Sequence, residues 1–348
     1  MAHQYQQKLQ SFLAEKWQDQ TLQIDEMKEL SSGWSRTTYL LTVFLQDGKK
    51  DLIVQVEKPK SVVLSSSVEH DYAVLKAVEA TNIPAPKPYI LGLDPTLLGG
   101  PFIVLSKDSG RTFDLFKPKH QLQLMEYWEN NTPLPEDVLD NLIKIHNAPV
   151  ENFSFLPKAP SAEETGAYEI ERCRQIAEEI GMARDPFIYF IFQWLNEFKP
   201  ETGYLTMVHG DFHIRNVLID HHRVSSVLDW ELTRISNPLF DLAYMCIPYL
   251  AGKVFTKGSP YACGLLPKDV LIREYERKTN RKVKPQEFQF WRVLSTLSLL
   301  LIIETGVSTY ERKQTDEIRS AWLRLLIPVL QEDILQCLTE KVPDYSKG

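Results

Sequence analysis

Cysteine is scarce in this 348-residue chain: Cys173, Cys246, Cys263 and Cys337 are the only four, and no two form a C-x-x-C pair. That spacing suggests neither a zinc site nor a disulfide framework, and a reducing, cytoplasmic setting is expected. Basic residues are outnumbered, with 39 Lys plus Arg against 46 Asp plus Glu and a formal charge of −7. A general nucleic-acid binder needs a dense array of cations to release counterions, so that class is excluded, while a neutral or cationic small substrate is left open. Long apolar runs are missing as well. The opening MAHQYQQKLQSFLAEKW lacks the uninterrupted apolar core of a signal peptide, and the most apolar run, VLSTLSLLLII at 293–303, is too short to cross a bilayer. A soluble, unexported protein without a membrane partner is expected. There is no internal repeat and no low-complexity stretch.

What is present is the composition of an ordinary soluble protein, 43% hydrophobic, 24% charged and 11% aromatic. The length fits either two packed units or one large α/β domain. Residues 1–17 carry Tyr5, Leu9, Phe12, Leu13 and Trp17 near helical spacing. LSSGWSRTTYLLTVFL and KKDLIVQVEKP read as antiparallel strands joined at QDGKK, where Asp47-Gly48 is a hairpin signal. SVEHDYAVLKAVEAT reads as a helix burying Val68, Tyr72, Leu75 and Val78, and GGPFIVLSK as a buried strand ending near Lys107. Beyond Gly110 long helical patterns take over, interrupted by short strands around residues 208–220 and by RVSSVLDW. This change of texture places a boundary near residue 108, between a sheet-rich unit of residues 1–108 and a helix-rich one of residues 109–348.

VHGDFHIRNVLID, residues 208–220, concentrates polar side chains between two apolar runs. His209, Asp211 and Asn216 are spaced H-x-D-x-x-x-x-N, as in a phosphotransferase catalytic loop, where the aspartate takes the acceptor hydroxyl's proton and the asparagine holds Mg²⁺. Asp229, in SVLDWE, offers a second carboxylate at a strand end, suited to a metal between nucleotide phosphates. Hard Mg²⁺ wants oxygen ligands, which explains the residue types. His209 and His213 read as braces of the loop. A rival reading takes His209, Asp211 and His213, with His221 and His222 nearby, as ligands of a transition metal for hydrolysis, but it leaves Asn216 without a role.

LTMVHGDFHIRNVLID, SVLDWELTRISNPLFDLAYM and WLNEFKP together resemble the aminoglycoside phosphotransferase and choline kinase-like family, a branch of the protein-kinase-like fold. The H-G-D-x-x-x-x-N and D-W-E motifs match residue for residue, and a looser likeness covers roughly residues 25–310. The resemblance implies an α+β, two-lobed fold: a small antiparallel-sheet lobe binding nucleotide and a larger, mostly helical lobe carrying the catalytic loop and acceptor site. It implies phosphorylation of a small molecule's hydroxyl by ATP, or GTP, with Mg²⁺; a degraded, non-catalytic nucleotide or ligand sensor is the alternative. Asp211 would be the base, and Asn216 and Asp229 the metal ligands. Asp241 matches a family aspartate that braces the catalytic loop, a role compatible with a plain helix N-cap.

In the amino-terminal part, SSGWSRTTYLL resembles the family's nucleotide-covering loop, with Gly33 and Ser35 permitting the turn. FIVLSKDSG resembles the hinge strand, where the backbone of Leu105 and Ser106 would meet the adenine. One departure stands out. Where the family has a Lys or Arg on the third strand for the α- and β-phosphates, this chain has Gln55, with Asp71 or Glu69 as the acid of the following helix. Lys58 falls on the opposite face by the two-residue strand period unless a bulge intervenes. The acceptor pocket is expected along residues 171–194 and 290–306, where plain helix packing accounts for most side chains.

Overall fold

Alternation with a period of two governs the first hundred residues, and the chain builds an antiparallel sheet from them. The computed structural model describes residues 2–32, 35–58, 67–254, 257–315 and 317–340. It divides into one unit of residues 1–81 and 85–109 and a second of residues 82–84 and 110–348.

The first unit runs α1 (Ala2–Trp17), β1 (Gln23–Ser32), β2 (Arg36–Leu45), β3 (Gly48–Glu57), α2 (Val68–Val78), β4 (Pro88–Gly92), α3 (Pro95–Leu98) and β5 (Phe102–Ser106). Its sheet has the order β1-β2-β3-β5-β4, every neighbour antiparallel. The β2–β3 hairpin forms as the turn residues predict, although it closes one residue earlier: Leu45 pairs with Gly48, leaving Gln46 and Asp47 as the turn, and Gly48 takes φ +122°. One sheet face packs Leu41, Val43, Leu52, Val54 and Val56 with Leu9 and Leu13 of α1. Full burial of each such side chain stabilises by about 1.5–3 kcal/mol.

The opposite face is mixed: Ile103 and Leu105 of β5 are buried on it, and polar residues gather at its β2–β3 end. Directly opposed residues of an antiparallel pair share a face, so the pairs Thr38–Gln55 and Arg36–Glu57 stand together on it. Here the expected burial of α2 needs correction. Val68, Leu75 and Val78 are buried as read from the sequence, but Asp71 and Val74 are buried too, while Tyr72 is only partly covered. A helix turns a carboxylate inward only when a partner compensates its desolvation, and Asp71 has one, described below.

The second unit comprises α4 (Pro118–Glu129), α5 (Leu134–His146), α6 (Thr165–Glu179), α7 (Pro186–Glu197), β6 (Thr206–Val208), β7 (Val217–Asp220), β8 (Arg223–Val227), β9 (Arg234–Ser236), α8 (Leu239–Tyr244), α9 (Lys268–Thr279), α10 (Pro285–Glu311), α11 (Ile318–Trp322) and α12 (Ile327–Thr339). The run at 293–303 extends in both directions into the 27-residue α10, which by length and composition alone could cross a membrane. It is instead the core helix of this unit, packed against α6, α8 and α12, with 94% of its apolar stretch buried. Two short ribbons, β6 with β9 and β7 with β8, frame the polar loop at 209–216.

Candidate active site

The loop leaves β6 at Val208 and is fixed at once by a carboxylate from α8. Asp241, fully buried, accepts from the backbone N–H of His209 (2.7 Å, Oδ2) and of Gly210 (2.8 Å, Oδ1). His146 lies 3.2 Å from the same Oδ2, and its other ring nitrogen is 2.9 Å from the Tyr275 hydroxyl. Burial lowers the basicity of His146, so the neutral ring donates Nε2–H to Asp241 and accepts from Tyr275. Burial would raise the Asp241 pKa, yet the His146 hydrogen bond and the backbone donors hold it below the usual carboxylate value. Asp241 is therefore a brace of the loop. It is not the N-cap of α8, a place that Pro238 holds; Asn237 Oδ1, just before it, accepts from Leu239 N at 3.0 Å.

Gly210 takes φ +85°, and a Cβ there would meet the Leu232 carbonyl at 2.4 Å and Arg234 Nη1 at 2.5 Å. That explains the glycine of H-G-D. Arg234 donates to Leu232 O (2.8 Å) and makes a forked pair with Glu169 on α6 (2.6 and 3.0 Å), both side chains essentially buried. Burial works against the Glu169 charge, but the guanidinium holds its pKa at about 2.

His209 serves the backbone with both ring nitrogens: Nε2 donates to Leu228 O (3.0 Å) and Nδ1 accepts from Asp211 N (3.3 Å). Trp230 packs on the imidazole at 4.9 Å between centroids. His213 caps the following short 3₁₀ turn, its Nδ1 accepting from Arg215 N (3.2 Å) while Nε2 faces Asp211 Oδ1 at 3.4 Å. Asn216 donates Nδ2–H to Asp211 Oδ2 (2.7 Å) and to the Asp211 carbonyl (3.1 Å). The Tyr244 hydroxyl also favours the ionised form of the Asp211 carboxylate. Burial alone would raise the Asp211 pKa, but His213, Tyr244 and His209 bring it well below the carboxylate range. A fifth of its side chain stays exposed.

Asp229 follows β8. Leu228, just before it, is clamped through its N–H to Asn216 O (2.8 Å) and its carbonyl to His209. Asp229 itself is exposed and sits at φ +65°, a left-handed conformation that costs a non-glycine residue of order 1 kcal/mol. The loop thus brings Asp211 and Asn216 into contact and ties the backbone beside Asp229 to both His209 and Asn216. With Asn216 Nδ2 committed to Asp211, oxygen donors are what Asn216 and Asp229 have to offer, and they fit a hard cation. The imidazoles do not fit the hydrolase rival, since both nitrogens of His209 are used by backbone and those of His213 by Arg215 N and Asp211.

In the first unit, Gly33 lies outside the described residues. The Ser35 carbonyl accepts from Lys58 N at 3.2 Å. Lys58 therefore stands one step beyond β3, on the face of Val56 by the strand period. Ser106 donates its N–H to Lys87 O (2.9 Å), and its hydroxyl accepts from Lys87 N (2.8 Å) and donates to Asp108 (2.6 Å). Leu105 is buried in β5. Gln55 lies at the polar end of the mixed face, but Asp71 does not pair with it: Asp71 Oδ2 forms a buried ion pair with Arg36 Nη1, from β2.

Reasoning from sequence missed Arg36, Tyr244, and the Arg234–Glu169 pair. Tyr244 was detectable, three residues after Asp241 on the same helical face. The others carry no local signal.

A sheet unit followed by a helical one with an H-G-D-x-x-x-x-N loop braced from a later helix defines a phosphotransferase of the protein-kinase-like fold. The chain belongs to the phosphotransferase enzyme family, whose model matches residues 26–257. It is 27% identical over 309 residues, 82% of this chain, to the probable acyl-CoA dehydrogenase IBR3 of Arabidopsis thaliana, and 24% identical over 312 residues, 85% of this chain, to acyl-CoA dehydrogenase family member 10 of Mus musculus. It spans only 36% and 27% of those relatives' own lengths. Among solved structures, a protein of Ralstonia eutropha assigned as an aminoglycoside phosphotransferase superposes with a TM-score of 0.71 at 17% identity, covering 95% of this chain and 97% of that one. A thermostable aminoglycoside phosphotransferase APH(4)-Ia in complex with AMP-PNP and hygromycin B gives 0.58 at 15% identity, covering 94% and 98%. At these identities the structures establish the fold.

Proposed function

We propose that this protein transfers the γ-phosphoryl group of ATP, or GTP, to a hydroxyl of a small molecule, with Mg²⁺. The observation that carries the reading is the Asp211 carboxylate, held ionised by Asn216, His213 and Tyr244 yet still partly exposed. Asp211 would receive the acceptor hydroxyl as a hydrogen-bond donor, align it, and take its proton. A carboxylate this acidic is a weak base, but in a loose phosphoryl-transfer transition state the proton leaves late, so orientation matters more than basicity. Asn216 and Asp229 would hold Mg²⁺, which supplies neutralisation of charge on the phosphates. Gln55, Asp71 and the backbone near Leu105 and Ser106 would belong to the nucleotide site, with Gly33 and Ser35 in the loop over it.

Three acceptor classes are proposed. Aminoglycosides are bound by proteins of this fold, choline-like alcohols fit the same chemistry, and the acyl-CoA dehydrogenase relatives add hydroxylated acyl compounds. The experiment is a screen of these classes for acceptor-stimulated ADP release with Mg²⁺, Mn²⁺ or Zn²⁺. Stimulated release with Mg²⁺ or Mn²⁺ is expected. Tight ATP binding with no release for any class favours the sensor reading, which Gln55 motivates, and stoichiometric zinc on His209 and His213 with hydrolysis favours the hydrolase.

A further inference from the structure

The polar β2–β3 end of the sheet face in the first unit lacks a cation where the family's third strand has one, at Gln55, but it does not lack a cation. We infer that Arg36 supplies from β2 the charge that meets the nucleotide phosphates, with Asp71 of α2 as its positioning residue. This rests on the nucleotide-binding reading above.

Register carries the first step. Thr38 opposes Gln55 and Arg36 opposes Glu57, so Arg36 is diagonal to Gln55 on one face. Diagonal neighbours lie about 7–8 Å apart at Cα, within reach of a side chain as long as arginine. The other face is filled by the apolar cluster under α1; on this one Ile103 and Leu105 are buried beside α2, and the β2–β3 end, with Arg36, Thr38, Gln55 and Glu57, is the part whose chemistry suits a polar ligand.

The ion pair carries the second. The α2 acid that would position a third-strand cation is present at Asp71 and buried, but the group it holds is Arg36. Among the described residues Asp71 Oδ1 is buried with no hydrogen-bond partner, and Arg36, paired with Oδ2, is the cation that compensates this carboxylate. Glu57, which opposes Arg36, accepts through Oε2 from Val68 N at the start of α2 (3.1 Å). The acid on α2 thus pairs with a cation on β2, one strand over from position 55.

Energetics carries the third. Taking both charges out of water offsets much of their attraction, and such pairs are commonly replaceable by apolar residues without loss of stability. Stability alone therefore gives little reason for a buried Arg36. A phosphate ligand gives one: a guanidinium's planar fork can serve a carboxylate and a phosphate together, which a point-charge ammonium does less well.

The test is calorimetric affinity for ATP, ADP, AMP and adenosine, with Mg²⁺, in wild type, Arg36→Gln, Arg36→Lys and the swap Arg36→Gln/Gln55→Lys. Arg36→Gln is expected to weaken ATP roughly 10- to 100-fold while adenosine stays within about twofold, and the swap to recover most of the ATP loss. If all four ligands weaken in parallel with a fall in Tm, and the swap restores nothing, Arg36 is a structural clip and the inference is overturned. Should Arg36→Gln not fold, Arg36→Lys decides. It keeps the charge but loses the fork, so a several-fold loss for ATP with adenosine unmoved supports the assignment, and unchanged ATP binding overturns it. Wild type that binds none of the four refutes the nucleotide reading itself. Wild type that binds ATP, with Arg36→Gln indifferent, refutes only the role of Arg36.

Discussion

The loop at 209–216 and the polar part of the sheet face around Gln55 both organise buried charge, but by different means. In the loop, Asp241 is held by two backbone N–H groups and a neutral imidazole, and Asp211 by an amide, an imidazole and a phenol. On the sheet face, Asp71 is held by a guanidinium. Backbone and amide donors keep a carboxylate ionised without cancelling its charge, and Asp211, to which His213 adds an electrostatic attraction, stays a fifth exposed and can orient a hydroxyl. An ion pair cancels the charge and fixes position, which suits a group meant to place another. The loop is built to leave a carboxylate available, and the sheet face to hold a cation still.

The sharpest way to break that comparison is Asp211→Asn. The variant keeps the shape, and its amide can still face His213 and Tyr244, but it cannot take a proton. We expect turnover with an identified acceptor to fall about 10²- to 10⁴-fold, while Mg-nucleotide affinity, which rests on other residues, stays close to wild type. Steady-state kinetics beside calorimetry checks this, and wild-type turnover in the variant ends the assignment of Asp211 as base.

Asp241→Asn is the next largest. Its single carbonyl oxygen can satisfy only one of the N–H groups of His209 and Gly210, and the amide NH₂ meets the other donor head on. Leaving a buried donor unpaired costs about 1–3 kcal/mol, read as a shift of the denaturant midpoint at unchanged slope. The pH dependence has a defined sign. The folded pKa of Asp241 lies below its ordinary value of 3.8, so its contribution is present above that value and lost as pH falls through the folded one. Wild type should lose stability as pH drops below about 4, and Asp241→Asn should show a shallower acid limb. Parallel limbs would mean that Asp241 is not held ionised by the loop.

How much of this was legible in sequence depends on how far apart the partners lie. Asp211 and Asn216 are five residues apart and bond directly, so the H-x-D-x-x-x-x-N spacing carries its own geometry. Asp241 lies 32 residues from His209 and was legible only through the family resemblance. Arg36 and Asp71 are 35 residues apart, and Arg234 and Glu169 are 65 apart; strand register and helix packing bring them together, and no local pattern records either. The same cause misassigned α2. Hydrophobic periodicity put Tyr72 inward, because a carboxylate at 71 belongs outside until a cation elsewhere in the chain compensates it. The hairpin, in contrast, was legible from Gly48 because turn chemistry is local.

The smallest effect is the most discriminating. Gln55→Lys restores the family's third-strand cation, and on the sequence alone it should tighten ATP binding. On the sheet face as built, two facts oppose that. Asp71 already holds Arg36, so a new ammonium finds no acid to position it. It would also stand diagonal to Arg36 on the same face, where like charges repel. We therefore expect Gln55→Lys alone to tighten ATP by no more than about threefold, near 0.6 kcal/mol, in a partly solvated setting. In the Arg36→Gln background the same substitution should give a larger gain, because Asp71 is released to pair with Lys at 55. Calorimetric ATP affinities for the two single variants and the double variant, read as a coupling cycle, measure the difference directly. Equal gains in both backgrounds would show that positions 36 and 55 act independently. If neither substitution matters and Lys58→Ala abolishes binding, the phosphate cation stands at the end of β3 and the polar end of the sheet face is only a structural clasp.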